Sequence, residues 1–125
     1  MVQAGSNDET LAIKKTAMNY MESWYQGDEK KMVESLHKDL TKRSLRLTNS
    51  KLKLRHTKFR DMKYWTGQGH GKNLWRDPHK IDVTILDHYN GIASVKVVTP
   101  DYWEYLHLVK IDGKWLIINA LYENN

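Results

Sequence analysis

The residue best suited to proton chemistry is His107, a single imidazole in an otherwise apolar run near the end of the chain. Because an imidazole titrates near neutral pH, His107 could act as a general acid or donate a hydrogen bond to a developing oxyanion. The alternative is a buried histidine that serves packing alone and is satisfied by a neighbour. Tyr20 is the second candidate catalytic group, since its phenol could orient a carbonyl or hydroxyl of a ligand; it could equally be a core aromatic at helical spacing.

Three aromatic residues, Trp24, Trp65 and Tyr105, are candidates for the walls of a binding pocket. Flat rings favour a planar ligand that is hydrophobic or aromatic. The same rings could instead fill a packed core that holds no ligand. We therefore treat the three as candidate ligand-binding residues.

Cationic side chains in the middle of the chain could recognise an acidic group on a ligand. His37, Arg43 and Arg46 lie around the second predicted helix and the strand that follows it. A guanidinium presents a fork of donors that suits carboxylate or phosphate. The alternative is that these charges lie at the surface in water.

The composition narrows the possible chemistry. The 125 residues contain no cysteine, which excludes disulfides, thiolate metal ligands and a cysteine nucleophile. The six histidines show no close metal-ligand spacing, so we expect neither a metal site nor a cofactor. The glycine-rich segment 67–73 does not match a phosphate-binding loop, because Thr66 stands where the first glycine belongs and Asn73 follows the lysine.

The positive charge is concentrated in one segment. Residues 38–63 contain ten of the twenty lysines and arginines and only two acids, within a chain whose net charge is +5. Such a segment could bind nucleic acid or another polyanion. The absence of a recognised nucleic-acid motif makes that partner the weakest of the interpretations, and a solvated charged face is the alternative.

Length and hydropathy predict one domain over residues 1–125, with residues 1–6 disordered. No apolar run approaches the roughly 20 residues of a membrane span. Residues 1–7 also lack the apolar segment of a signal peptide, so we expect a cytoplasmic protein without membrane contact.

The first half of the chain is predicted to be mainly helical. Ser6 and Glu9 have capping-box spacing before a periodic apolar pattern, which predicts a helix over residues 7–26. Asp28 can cap a second helix that ends near His37. The pattern then predicts a strand over 42–48, a helix over 51–65 whose first four residues could instead be extended, and a loop over 67–77.

The second half is predicted to form two hairpins, over residues 81–99 and 102–122. Asn90-Gly91 and Asp112-Gly113 lie between runs of β-branched and aromatic residues, and such pairs tolerate the positive φ of a tight hairpin turn. If Ile111 faces Lys114, His107 lies opposite Ile118. Helices followed by strands predict an α+β fold in which the helices cover one face of a curved antiparallel sheet.

Three segments resemble a known superfamily: residues 20–28 at the end of the first helix, 36–40 after the second, and 105–115 in the last hairpin. They resemble the nuclear transport factor 2-like superfamily, and within it the lumazine-binding-like group. The resemblance implies a cone in which helices close against a bent sheet around a pocket. It also implies a homodimer through the outer sheet face, for which we expect contacts from Leu106, Leu108, Trp115 and Ile117.

The ketosteroid isomerases of that superfamily offer a comparison by position. The resemblance matches their helix tyrosine to Tyr20, their protonated aspartate on the penultimate strand to His107, and their aspartate base to Ser44. A serine hydroxyl is too weak a base to replace that carboxylate, so steroid isomerisation by that mechanism is not expected.

The sequence therefore predicts a small-molecule pocket protein with His107 and Tyr20 in the pocket. One interpretation is an isomerase or dehydratase that transfers a proton next to a carbonyl or hydroxyl. The other is a non-catalytic ligand-binding or dimeric scaffold protein.

Overall fold

The computed structural model describes residues 6–74 and 80–125. In this part of the chain the fold is α+β, as predicted, with helices on one face of a curved sheet that does not close. The helices are α1 (Ser6–Gln26), α2 (Glu29–Ser35) and α3 (Phe59–Gly67), and a 3-10 turn lies at Lys72–Leu74. The strands are β1 (Leu36–Thr48), β2 (Lys51–Lys58), β3 (Asp82–Tyr89), β4 (Ile92–Val98), β5 (Tyr102–Ile111) and β6 (Lys114–Asn124).

The first two helices form where the apolar pattern predicts them. Ile13, Ala17 and Tyr20 are buried at helical spacing along α1. Asp28 caps α2 by accepting a hydrogen bond from the backbone N–H of Lys31 at 3.0 Å. The two helices thus pack against the sheet with a tight Gly27-Asp28 connection between them.

The six strands of the described chain form one sheet in the order β2-β1-β6-β5-β4-β3. All neighbours are antiparallel except β1 and β6, which run parallel. In the parallel pair, β1, which follows α2, lies beside β6, the last strand of the chain. β6 therefore has a neighbouring strand on each side, β1 and β5. This arrangement brings the inner faces of β1 and β6 beneath the helices, and Tyr20 of α1 reaches Glu104 of β5.

The helix predicted over 51–65 is wrong for residues 51–58, although the extended alternative for residues 51–54 is confirmed. Residues Lys51–Lys58 form β2, which pairs with β1 across a two-residue turn at Asn49-Ser50. Both turn residues have positive φ, 50° and 64°, the geometry of a tight hairpin. The ladder of hydrogen bonds to β1 overrides the local helical pattern, and the helix begins only at Phe59, where Asp61 accepts from the backbone N–H of Lys58 at 2.9 Å.

The last hairpin has the predicted turn but a different register at His107. Ile111 faces Lys114, and Asp112-Gly113 has positive φ at both positions, as predicted. A β-bulge between His107 and Leu108 then shifts the pairing, so His107 lies opposite Asn119 instead of Ile118. A bulge places two residues of one strand opposite one of the other, which alternation alone does not predict.

The two faces of β5 are assigned by burial. Glu104, Leu106 and Leu108 are 1 % exposed or less and face the helices, whereas Tyr105 and His107 face outward. The residues expected to form dimer contacts on the outer sheet face are instead buried on the inner face, so this expectation is wrong. They are Leu106, Leu108, Trp115 and Ile117. The exposed apolar residues of the outer face include four leucines of the β1–β2 hairpin: Leu45, Leu47, Leu52 and Leu54.

Two sequence predictions fall partly outside the described residues. Of the predicted disordered segment 1–6, only Ser6 is described, and it is the first residue of α1. Within the predicted loop 67–77, α3 ends at Gly67 and a turn leads to Lys72–Leu74; residues 75–77 lie outside the described part. No helix in the described ranges has the length and apolar character needed to cross a membrane.

Candidate functional site

A small cavity lies between α1, α3 and the inner face of the sheet, and its volume is about 50 Å³. A single water needs about 10–15 Å³ of such open space, so the cavity has room for roughly three to five waters, about the bulk of one six-membered ring. Its wall combines a polar end with aromatic and apolar sides. The lining residues are Tyr20, Met21, Trp24, Lys42, Thr57, Met62, Trp65, Tyr102, Glu104 and Tyr122.

The polar end of the cavity is a cluster of Tyr20, Lys42 and Glu104. The Tyr20 hydroxyl donates to Glu104 Oε1 at 2.7 Å and accepts a hydrogen bond from Lys42 Nζ. Lys42 Nζ also lies 3.3 Å from Glu104 Oε1 and 3.4 Å from Oε2. The three side chains come from α1, β1 and β5, so the cluster joins the helix to two non-adjacent strands.

The cluster is buried, and its charges are paired. The side chains of Lys42 and Glu104 are 9 % and 2 % exposed. Burial first, and the neighbouring Glu104 carboxylate second, hold the pKa of Tyr20 well above its usual value. Tyr20 therefore remains a protonated hydrogen-bond donor at any physiological pH.

Strand alternation explains how β1 supplies the lysine. Leu40, Lys42 and Ser44 are all buried and point inward at every second residue. The Ser44 hydroxyl is buried without a hydrogen-bond partner among the described residues. Ser44, the position matched to a catalytic base in the isomerases, is thus a neighbour of the cluster but not part of it.

Aromatic rings form the sides of the cavity. Trp24 donates from Nε1 to the Tyr102 hydroxyl at 3.0 Å, which holds both rings in place. Tyr122 lies under Lys42, whose Nζ is 4.4 Å from the centroid of the ring. Trp65 stacks against His70 with centroids 6.2 Å apart. The cavity thus has flat walls and one charged end.

The eight candidate residues predicted from sequence divide into two sets. Tyr20, Trp24 and Trp65 line the cavity. His107, Arg43 and Tyr105 do not, because strand alternation places them on the outer sheet face. His37 and Arg46 also lie outside the cavity lining. The prediction that His107 lies in the pocket is therefore wrong in position, and a role in chemistry for any of the eight stays a prediction.

Sequence reasoning missed Lys42 and Glu104. Each is a charged residue in an inward-facing row: Lys42 falls between Leu40 and Ser44, and Glu104 precedes Leu106 at the same spacing. A charged residue at a core-facing position is rare unless it is paired, and this was the available signal. The signal was ambiguous because the opposite face of β5 is also largely apolar.

His107 borders a separate groove on the outer face, whose volume is about 450 Å³. Its Nδ1 lies 3.2 Å from Asn119 Nδ2, and Tyr89, Ile92 and Ile118 contribute apolar lining. Across residues 6–74 and 80–125, no group of three or more histidines and acids is arranged to hold a metal ion.

Helices closed over one face of a bent sheet, with a polar-ended cavity between the layers, define a nuclear transport factor 2-like protein. The chain belongs to the family described as "Putative lumazine-binding", whose model matches residues 8–123. Comparison with curated proteins gives no significant match.

Solved structures with this fold are similar over nearly the whole chain. An NTF2-like protein of unknown function from Shewanella baltica has a TM-score of 0.75 at 19% identity and covers 98% of both chains. One from Methylobacillus flagellatus has a TM-score of 0.67 at 22% identity, over 99% of this chain and 95% of the other. A ketosteroid isomerase-like protein from Erwinia carotovora has a TM-score of 0.60 at 12% identity, over 94% and 97%. At these identities the likeness is one of fold.

Proposed function

We propose that the protein binds a small planar ligand whose polar edge meets the Tyr20, Lys42 and Glu104 cluster. The observation that carries the proposal is a buried, charged cluster that opens onto a cavity with aromatic walls. A buried ion pair is no more stabilising than well-packed apolar residues of similar volume, so stability alone is a weak reason to hold one there. A pocket with few convergent polar groups and flat apolar walls is the ordinary form of a small-molecule site.

The unused hydrogen-bonding capacity of the cluster suggests the polar edge of the ligand. Lys42 carries three N–H donors, of which Tyr20 and Glu104 use two. Glu104 Oε2 accepts only the long bond from Lys42, among the described residues. A ligand edge with a carbonyl oxygen beside a ring N–H would satisfy both, because the carbonyl accepts from Lys42 and the N–H donates to Glu104.

The size of the cavity favours a single ring. Lumazine, the compound in the family's description, contains a pyrimidinedione ring with such an edge, fused to a second ring. The space of about 50 Å³ suits the first ring, and the second would require Trp65 or another wall residue to move. We therefore expect uracil, the single-ring equivalent, to bind without rearrangement.

Titration of the protein with uracil and with lumazine, followed by tryptophan fluorescence and calorimetry, tests the proposal. Trp24 and Trp65 line the cavity, so occupancy should change their emission. Lys42→Met should abolish binding, whereas Lys110→Met, which removes an exposed lysine paired with Glu9, should leave it intact. Failure of both compounds to bind the unmodified protein would overturn the proposal, and urea unfolding of each variant identifies any loss that is due to misfolding.

A second candidate function is proton transfer next to a carbonyl. It is favoured by the position of Tyr20, a protonated donor beside a buried carboxylate, in a chain similar in fold to a ketosteroid isomerase-like protein. Glu104 would remove a proton from the carbon next to the carbonyl and return it to the far end of the dienolate. Lys42, which has one N–H donor unused, would stabilise the charge that develops on the oxygen, while the Tyr20 hydroxyl donates to Oε1 of Glu104 and leaves Oε2 to act as the base.

Isomerisation of β,γ-cyclohexenone to its conjugated isomer, followed by ultraviolet absorbance, measures this activity on a single-ring substrate. We expect turnover above the buffer rate and its loss in Glu104→Gln. No turnover with the unmodified protein would exclude this chemistry and leave the ligand-binding proposal in place.

We further propose that a homodimer forms through the outer sheet face. Four leucines project together from the β1–β2 hairpin and are 40–72% exposed: Leu45, Leu47, Leu52 and Leu54. An exposed apolar cluster of this kind is typical of a protein–protein contact. Sedimentation should give a dimer that Leu52→Asp dissociates.

Leu11→Asp is the matched control for the dimer, because Leu11 is as exposed as Leu52, at 67%, but lies on α1. A protein that sediments as a monomer at all accessible concentrations would contradict the homodimer.

A further inference from the structure

We propose that Arg46 and Arg55 form an anion subsite at the mouth of the cavity, so that the ligand carries a carboxylate or phosphate tail. This inference rests on the proposed small-molecule function and specifies the class of ligand. Its basis is the position, the anchoring and the unneutralised charge of the two guanidinium groups.

The position of the two arginines follows from the register of β1 and β2. Arg46 lies on the inner face of β1, four residues beyond Lys42, and Arg55 on β2 pairs with Ser44. The two are diagonal neighbours on one face of the hairpin, within reach of a common small anion. Because a strand rises about 3.3 Å per residue, Arg46 begins about 13 Å along β1 from the lysine of the polar cluster.

Each arginine packs on a ring that also lines the cavity. Arg46 Nη2 donates to the Tyr122 hydroxyl at 2.8 Å, and its guanidinium carbon lies 5.4 Å from the centroid of that ring. The guanidinium carbon of Arg55 lies 5.2 Å from the ring of Trp65. Stacking on a ring of the cavity wall holds each guanidinium beside the cavity and lowers the entropy lost when it binds an anion.

The positive charges of Arg46 and Arg55 are not neutralised by the protein. Within residues 6–74 and 80–125, no carboxylate lies within 4.0 Å of either guanidinium, whereas Lys42, deeper on the same face, is paired with Glu104. Lys53 pairs with Arg46 across the ladder and adds a third positive charge. The polar cluster therefore has no net charge and recognises a neutral edge, while the mouth is strongly positive and suits an anionic group.

The distance between the polar cluster and Arg46 determines the length of ligand that can contact both. A ring at the cluster and an anion at Arg46 are separated by the width of the Tyr122 ring, which contacts both Lys42 and Arg46. A ring with a tail of a few bonds that ends in carboxylate or phosphate spans this distance. The competing interpretation is that the whole basic segment binds polyanions, in which case the outer-face Arg43 contributes as much as Arg46.

The test compares ligands of equal size that differ only in charge: N-carboxymethyl uracil against its amide, and phenylacetate against phenylacetamide. Dissociation constants are measured by calorimetry at low and at physiological salt. We expect each acid to bind about tenfold tighter than its amide at low salt, the range for charge-assisted hydrogen bonds at a partly exposed site. The preference should shrink as salt rises.

Arg46→Gln and Arg55→Gln should each remove most of the preference for the acid while leaving the amide's affinity within about twofold. Arg43→Gln is the matched control, since Arg43 is three residues earlier on the same strand, faces outward and contacts Asn119 at 3.4 Å. It should leave the preference intact. Urea unfolding of the three variants checks that each is folded.

The outcomes separate the two proposals. Equal binding of acid and amide by the unmodified protein overturns the anion subsite and leaves ring binding in place. A second outcome is that neither uracil compound binds, while phenylacetate binds more tightly than phenylacetamide and this preference depends on the arginines. It supports the anion subsite and refutes the proposed ligand edge of a carbonyl oxygen beside a ring N–H. If Arg43→Gln reduces binding of phenylacetate and of a short single-stranded DNA as much as Arg46→Gln does, a dispersed basic surface replaces the subsite.

Discussion

The buried pair of Lys42 and Glu104 makes a strong prediction about stability. Glu104→Leu leaves a lysine ammonium in an environment where the side chain is 9 % exposed, and it also removes the acceptor of the Tyr20 hydroxyl. Lys42→Met leaves the carboxylate, which is 2 % exposed, without its cation. Removing one partner of a buried pair costs about 3–5 kcal/mol of unfolding free energy, so each single variant should lose that amount.

The double variant should lose far less than the sum of the two. With both charges gone, the main remaining penalty is the Tyr20 hydroxyl without a partner, about 1–3 kcal/mol, and adding Tyr20→Phe should remove most of it. The interaction energy between Lys42 and Glu104 is therefore expected to be at least about 3 kcal/mol. For a chain of this length, each kcal/mol corresponds to about 4 °C in Tm.

Urea unfolding followed by tryptophan fluorescence measures these free energies, and the m-values show whether the unfolding transition is comparable between variants. The solvent-accessible pair of Glu9 and Lys110, with an N–O distance of 2.6 Å, provides the control cycle and should give a much smaller interaction energy, because water screens it. Additivity of the two buried substitutions within about 0.5 kcal/mol would refute the reasoning, because two charges in contact inside the fold cannot be independent.

Two further predictions concern pH and packing. Burial raises the pKa values of Tyr20, Tyr25 and Tyr102, so their contribution to stability is complete below about pH 10, the unfolded-state value, and is lost as pH rises through the folded-state values. Unfolding midpoints that do not fall above pH 10, or phenolate absorbance that shows all tyrosines titrating together, would contradict this. Gly71→Ala should destabilise by about 1–3 kcal/mol, because the added Cβ would lie 2.3 Å from the backbone oxygen of Trp24; an unchanged urea midpoint would show that the loop does not pack there.

Local sequence predicted the hairpins well but not the strand after β1. Asp112-Gly113 was identified because its residues tolerate positive φ, a property of the turn residues alone. The apolar pattern predicts a helix over 51–65, with an extended form as the alternative only for its first four residues. Lys51–Lys58 is nevertheless a strand throughout, because its hydrogen bonds are made to β1 and not within the segment. Pairing between segments overrides a weak local preference.

The candidate site was predicted only in part. Tyr20, Trp24 and Trp65 were found because aromatic residues at helical spacing predict an inward stripe. Lys42 and Glu104 were missed because they are 62 residues apart, and neither is explicable at a core position without the other. Sequence spacing carries no information about such a partner.

His107 illustrates what the sequence determined and what only the tertiary structure decided. Two-residue alternation along β5 determined that His107 and Tyr105 share a face and that Leu106 and Leu108 share the other, because alternation depends only on an extended backbone. Which face turns inward was decided by the fold, which brings Tyr20 of α1 and Lys42 of β1 to Glu104 and buries that charge with its partners. The bulge at His107 arises from the pairing of β5 with β6, so it too appears only when the two strands meet.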